Sequence, residues 1–375
     1  MRIDLPTALL GGLSPRIFMQ RHWQKRPLLI RQAVPGIQAP VSRAELFELA
    51  RRDDVESRLV AHAASGWTLR HGPLRRRSVP GIRTPGWTLL VQGLDLHVEA
   101  AHQLLERFRF VPDARLDDLM ISYATDGGGV GPHFDAYDVF LLQVDGVREW
   151  RVGRVAAPKL QAGAPLKILT NFRAEQTWRL EPGDMLYLPP LWAHDGVARG
   201  ECMTCSIGFR APGRRGIATE LLQRLLDAEP DPGGDGLYRD ARQNATQHPA
   251  RMPVGLQQFA ARAIAAEWSD SRRLAAALGE LLCEPKSHVV FARGRTLKRG
   301  QAVRLDRCTR MMYDAHHVFI NGEAFRAGGR DATVLRRLAD RHVLLAADLA
   351  KLSQQALSLL DDWARSGWLR SEITK

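Results

Sequence analysis

The first two hundred residues alternate short apolar runs with Gly and Pro turns. Runs at residues 87–91, 119–123, 139–144, 150–152, 185–188 and 203–207 have strand length and are rich in β-branched or aromatic residues. Many short strands divided by turn signals predict a β-sandwich or barrel. Amphipathic helices are expected to interrupt it at 43–51 and 98–108. After residue 213 the period changes. Segments 217–228 and 256–268 place apolar residues three and four apart, and Asp270 reads as the N-cap of a helix reaching Leu282. Between the first two of these, the polar stretch 229–253 is expected to be a long ordered loop. The last hundred residues mix predicted strands at 289–291 and 318–320, the second followed by an Asn321-Gly322 turn, with helices at 332–341 and 353–366. That mixture predicts a winged-helix-like module. Residues 346–362 hold few cations for phosphates, which favours a structural or docking role over DNA reading. The shifts divide the chain into 1–212, 213–283 and 284–375.

Composition narrows the class. The chain has 375 residues, 45% hydrophobic and 25% charged, as ordinary globular proteins do. No run of eighteen apolar residues predicts a membrane span. The first residues, Met1-Arg2-Ile3-Asp4-Leu5-Pro6, do not read as a secretory signal. Four cysteines make no disulfide framework, so a reduced, cytoplasmic home is expected. A formal net charge of +12 favours encounters with polyanions such as nucleic acid or ribosomal particles, although an arginine-rich composition alone would produce it. Its distribution is more telling. Between residues 117 and 147 there are six aspartates and no lysine or arginine, an acidic island in a basic chain.

Candidate chemistry lies in that island. Gly127-Gly128-Gly129-Val130-Gly131-Pro132-His133-Phe134-Asp135 carries a His-x-Asp pair, and His194 follows Pro189-Pro190-Leu191-Trp192-Ala193. On a strand, residues two apart share a face, so His133 and Asp135 can converge on one ion. Two imidazoles and one carboxylate are the ligand set of Fe(II) oxygenases. Zinc accepts the same donors, but no nearby Glu supplies the base zinc hydrolases need, so iron ranks first. Asp145-Gly146 is a hairpin signal that would pair Gln143 with Arg148 and aim the arginine inward, where its fork suits a carboxylate. Eight residues of straight strand would put Gln143 about 26 Å from Asp135, so a bend at 136–138 is required. An exposed Arg148 is the alternative. His316-His317 alternate faces and are left as structural, as are Cys202 and Cys205, three apart on a strand.

At these residues the sequence resembles the JmjC-type 2-oxoglutarate oxygenases, and closely their bacterial ribosomal oxygenase branch. Residues 18–30, 127–153 and 182–212 carry the resemblance. It implies a double-stranded β-helix of the cupin type, a helical dimerisation region and a C-terminal winged helix, mainly β plus α. It implies Fe(II), 2-oxoglutarate and O2, with hydroxylation of an arginine side chain on large-subunit ribosomal protein sixteen by a homodimer. Direct nucleic-acid binding is compatible with it but not required. By position, His133, Asp135 and His194 would hold the iron and Arg148 the far carboxylate of 2-oxoglutarate. No further catalytic side chain is implied. A hydroxyl that relatives use for the cosubstrate would fall on Ala124, a departure that Tyr123, Thr125, Thr204 or Ser206 would have to offset. Asp126, Tyr137 and Asp138 are the expected contacts of a cationic target. Two alternatives stay open: a JmjC enzyme acting on histidine or lysine, and a non-enzymatic cupin-like binder of nucleic acid.

Overall fold

The computed structural model describes residues 2–227, 237–239, 250–298 and 300–372. The chain forms two compact units, Met1–Ala211 and Pro212–Lys375. The stretch 229–253, expected to be an ordered loop, lies largely outside the described residues.

The first unit holds nine strands: β1 (Leu28–Ile30), β2 (Ser57–Ala63), β3 (Gly66–His71), β4 (Trp87–Val91), β5 (Leu116–Ala124), β6 (Asp138–Gly153), β7 (Gln176–Leu180), β8 (Met185–Leu188) and β9 (Ala193–Phe209). They pair antiparallel in the order β1-β8-β6-β9-β5-β4-β2-β3, with β7 on the far half of β6. Four helices precede β6: α1 (Pro15–Arg21), α2 (Arg43–Leu49), α3 (Leu94–His97) and α4 (Glu99–Glu106). Ser14 caps α1 ahead of a proline, and Ser42 with Glu45 forms a capping box on α2, so local sequence starts both helices. One sheet face buries the main core, where Phe18, Phe108, Phe140, Tyr187 and Phe209 are shielded from solvent. The other face encloses a pocket.

The expected hairpin at Asp145-Gly146 does not form. β6 runs straight through as one strand of sixteen residues, and its register against β9 slips on both sides of Asp145. Gly146 has φ +61°, and a Cβ there would stand 2.1 Å from the Glu201 carbonyl oxygen. The Gln143 amide folds back onto the carbonyls of Asp145 and Gly146 at 2.8 and 3.3 Å. This bulge changes the facing of the strand. Before it, Val139 and Leu141 face the pocket; after it, Arg148 and Trp150 do. An extra residue inverts a period-two pattern, so Arg148 points inward for a different reason from the one expected.

The second unit begins with α5 (Arg214–Asp227), α6 (Val254–Ser269) and α7 (Ser271–Cys283), the last capped by Asp270 as its sequence predicts. Strands β10 (Ala302–Leu305), β11 (Met311–Tyr313), β12 (His317–Ile320), β13 (Glu323–Arg326), β14 (Val343–Leu344) and β15 (Leu369–Glu372) make two three-stranded sheets. With α8 (Gly329–Arg341), α9 (Ala346–Leu349) and α10 (Gln354–Arg365) they enclose a core that includes Val303, Leu338, Leu360 and Trp363. Asn321 and Gly322, both at positive φ, turn β12 into β13. The segment 289–291, expected as a strand, has no strand partner. Its apolar run does not alternate, and Val290 is exposed.

Candidate active site

The glycine run reaches the site by close backbone approach. A Cβ on Gly128 would lie 2.4 Å from the Trp87 carbonyl oxygen, and one on Gly129 would lie 2.5 Å from that of Gly196. His133 and Asp135 then sit on an irregular segment rather than on the strand the spacing suggested. What replaces the strand is a single bridge. The His133 backbone N–H donates to the His194 carbonyl at 3.0 Å, and the His194 N–H donates back at 2.7 Å. Asp135 is tied in by its carbonyl, which accepts from Leu191 N–H at 2.8 Å. The chain bends directly afterwards and enters β6.

The two imidazoles are oriented alike. His133 Nδ1 lies 2.8 Å from the Gly131 carbonyl oxygen, and His194 Nδ1 lies 3.0 Å from that of Trp192. A carbonyl can only accept, so each Nδ1 carries the proton and each Nε2 keeps its lone pair. Those Nε2 atoms stand 4.0 and 3.7 Å from Asp135 Oδ2, and the three donor atoms lie within 4.8 Å of one another. Burial and the neighbouring His133 push the His194 imidazole down to about 4, which keeps it neutral and ready to ligate at physiological pH. Backbone carbonyls behind metal-binding imidazoles are the usual means of fixing tautomer and ring angle.

Arg148 completes the arrangement. It is 5% exposed, and its Nε and Nη2 are buried without a hydrogen-bond partner. Its guanidinium lies 5.8 Å from the Trp150 ring centre, and that ring lies 5.8 Å from His194. A buried cation with unsatisfied donors costs stability unless an anion meets it. The pocket, about 360 Å³, is lined by Arg148, by the apolar Val139, Leu141, Leu166 and Ile168, and by Asp117, Asp118, Asp135 and Tyr137. Partial burial and the Asp135 carboxylate push the Tyr137 phenol up, so it stays protonated. The residues present therefore suit one divalent ion beside one carboxylate-bearing ligand.

Other expected site residues fall elsewhere. Ala124 packs with Ala198 and Cys202 and does not line the pocket. Tyr123 faces the main core, Thr125 bonds the Trp87 backbone, and Thr204 donates to Gln143 Oε1 at 2.8 Å. Ser206 does line the pocket, as does Ser122, which the sequence reading missed. Ser122 is two residues before Ala124 on β5, so the same-face rule applied to that strand would have found it. Asp126 is exposed and accepts from Gly200 N–H at 2.8 Å. Asp138 is fully buried on the core side, accepting from Tyr187 at 2.6 Å, Gln24 at 3.2 Å and Arg115 at 3.3 Å. It is a structural carboxylate, because the strand's alternation turns it away from the pocket. Cys202 and Cys205 are buried free thiols in separate clusters. His317 Nδ1 lies 3.3 Å from Asp314 within the second unit.

Comparison with known proteins fits this geometry. Residues 103–217 match the JmjC domain family and residues 266–370 the ROXA-like winged helix family. The ribosomal protein uL16 3-hydroxylase of Escherichia coli is 42% identical over 238 residues, covering 62% of this chain and 61% of that protein. A probable ribosomal oxygenase of Haemophilus influenzae is 34% identical over 58% of this chain and 55% of its own length. These alignments thus span somewhat over half of each curated relative. Solved structures extend the match. The E. coli ribosomal oxygenase YcfD superposes with a TM-score of 0.86 at 32% identity, covering 96% of this chain and 98% of that one. Its complex with cobalt and 2-oxoglutarate gives 0.83 at 31% identity over the same shares.

Proposed function

Because this chain belongs to the JmjC-type 2-oxoglutarate and Fe(II) oxygenases, in their bacterial ribosomal oxygenase branch, we propose that it hydroxylates an arginine side chain of ribosomal protein uL16. The observation that carries the reading is the pairing of a His-Asp-His cluster with the buried, unpartnered fork of Arg148 in one pocket. The E. coli YcfD structures with cobalt and either 2-oxoglutarate or succinic acid support the same ligand pair. Iron, 2-oxoglutarate and O2 together supply the oxidising chemistry, and the cosubstrate leaves as succinate and CO2.

The chain's own residues do the positioning. His133, Asp135 and His194 would hold the metal through two imidazoles and one carboxylate, the donor set that suits Fe(II). Arg148, with its Nε and Nη2 unpartnered and its guanidinium 5.8 Å from the Trp150 ring centre, would hold the far carboxylate of the cosubstrate. Val139, Leu141, Leu166 and Ile168 give the pocket apolar lining. Ser122 or Ser206 supplies the hydroxyl contact that Ala124 lacks. On the carboxylate wall, Asp117, Asp118 and Tyr137 receive the cationic target. No side chain beyond the metal ligands is assigned a catalytic role.

A homodimer and a cytoplasmic location complete the reading. The dimer is supported by exposed Leu222, Leu226 and Ile264 on α5 and α6. No helix among the described residues is long and apolar enough to cross a membrane. The test is succinate release from 2-oxoglutarate with a uL16 fragment present. Release that needs Fe(II) and the fragment, and disappears in His133→Ala, supports the proposal; release without the fragment's hydroxylation contradicts the substrate.

A further inference from the structure

Between Glu56 and Asp95 the chain holds six arginines and no acidic residue over thirty-eight positions, although Asp and Glu number 41 in the whole sequence. This stretch forms β2, β3 and the loop into β4, and β3 is the free edge of the large sheet. Arg70, Arg75, Arg76, Arg77 and Arg83 are all exposed. None of them makes an ion pair with a described carboxylate, whereas Arg43, Arg51 and Arg52 nearby each do.

The loop that carries these cations is held in shape. Leu74 is buried and its N–H donates to the Ala50 carbonyl at 2.7 Å. Arg70 donates to the Ser78 carbonyl at 3.3 Å, and Trp87 Nε1 donates to the Gly81 carbonyl at 3.2 Å. On the same hairpin an exposed His62 lies against the Trp67 ring, centroids 4.3 Å apart and nearly parallel. Arg58, on β2, lines the active-site pocket. Arg70 therefore lies on the free edge strand and Arg75, Arg76, Arg77 and Arg83 on the loop that follows it, while Arg58 on the adjoining strand lines the pocket.

We propose that this hairpin and loop form a docking surface for the phosphate backbone of RNA. Most of these cations are strung along exposed positions of the chain, Arg76 alone among the five also lining the surface cavity beside α2, so they match a partner whose charge repeats along its length. Arginine forks bind phosphate bidentately, and the exposed His62 ring, backed by the half-buried Trp67, offers a face on which a base can stack. The choice of RNA over other polyanions rests on the proposed ribosomal substrate, since ribosomal proteins work beside RNA.

The experiment measures fluorescence anisotropy of a labelled structured RNA with the full chain, across a salt series. Arg75→Glu/Arg76→Glu/Arg77→Glu is compared with a control of equal charge change in the second unit, Arg293→Glu/Arg295→Glu/Lys298→Glu. The loop variant is expected to lose at least tenfold in affinity and to flatten the log–log salt slope by about two to three, one phosphate per arginine. The control is expected to retain most of the binding. Hydroxylation of an isolated uL16 fragment is read separately and is expected to be unchanged in the loop variant, so failure of the substrate assignment leaves the RNA result interpretable. No RNA binding by the unaltered chain, equal losses in both triple variants, or unchanged binding in the loop variant would overturn the proposal. So would a preference for anionic lipid vesicles over RNA.

Discussion

His133 and His194 are joined backbone to backbone by a reciprocal pair of hydrogen bonds of 3.0 and 2.7 Å, sixty-one residues apart in the chain. That pair, rather than a regular strand, sets the spacing of the two imidazoles. Both rings are then aimed by carbonyls two residues before them.

Gly131 is the weak point of this arrangement. It has φ +76°, and a Cβ would lie 2.8 Å from both Trp67 and Ile168. Gly131→Ala should therefore cost about 1–3 kcal/mol in backbone strain and displace the carbonyl behind His133. Titration calorimetry with Co(II) should show metal affinity lowered roughly 10- to 100-fold. Unchanged affinity would mean that this carbonyl does not orient the ligand.

Arg148→Met separates two effects. Removing a buried cation with no partner should leave the free protein as stable as before or more so. Loss of the charged hydrogen bonds should raise the KM for 2-oxoglutarate roughly 10- to 100-fold. Thermal melts with and without 2-oxoglutarate report both, because the stabilisation by ligand should vanish. Arg148→Lys should recover only part of it, lacking the fork.

Much of this was legible in the sequence, and the misses have physical causes. The ligand trio follows from residue type and spacing, and the helices with polar caps, α2, α7 and α10, lie where Ser42, Asp270 and Ser353 put them, whereas Arg148 faces inward through a bulge and not through the expected hairpin. The bulge at Asp145-Gly146 was not legible, because a turn signal records a backbone preference that a strand can absorb when a neighbour such as Glu201 approaches closely. Asp138 was misread for a related reason. Charge alone does not say which face of β6 a carboxylate occupies, and its partners Tyr187, Gln24 and Arg115 are distant in sequence.

Asp138 should accordingly matter for folding and not for substrate. Asp138→Ala would strand Tyr187 and Arg115 and is expected to cost about 3–5 kcal/mol. Urea unfolding measures this directly. At a temperature where the variant is folded, its KM for a uL16 fragment should match that of the unaltered chain; a selective rise in KM would return Asp138 to the substrate site.

Asp184 gives a pH dependence. Burial pushes its carboxyl up, but the Gln32 and Glu181 N–H groups and Arg31 outweigh this and hold it below the usual range. A lowered folded-state value means its stabilisation is present above the unfolded value near 3.8 and is lost as pH falls through the folded one. Asp184→Asn should thus be destabilised relative to the unaltered chain at pH 7, by about 1–3 kcal/mol, with the gap narrowing below roughly pH 4. Denaturant midpoints across that range decide it, and a gap that widens in acid would refute the assignment.

The central claim is the substrate, and intact-mass spectrometry of uL16 tests it most directly. Protein taken from cells with and without this chain is compared, followed by fragmentation to locate the change. The account predicts that uL16 from cells lacking the chain is lighter by one oxygen atom, with the difference on an arginine side chain. Identical masses from the two strains would contradict it.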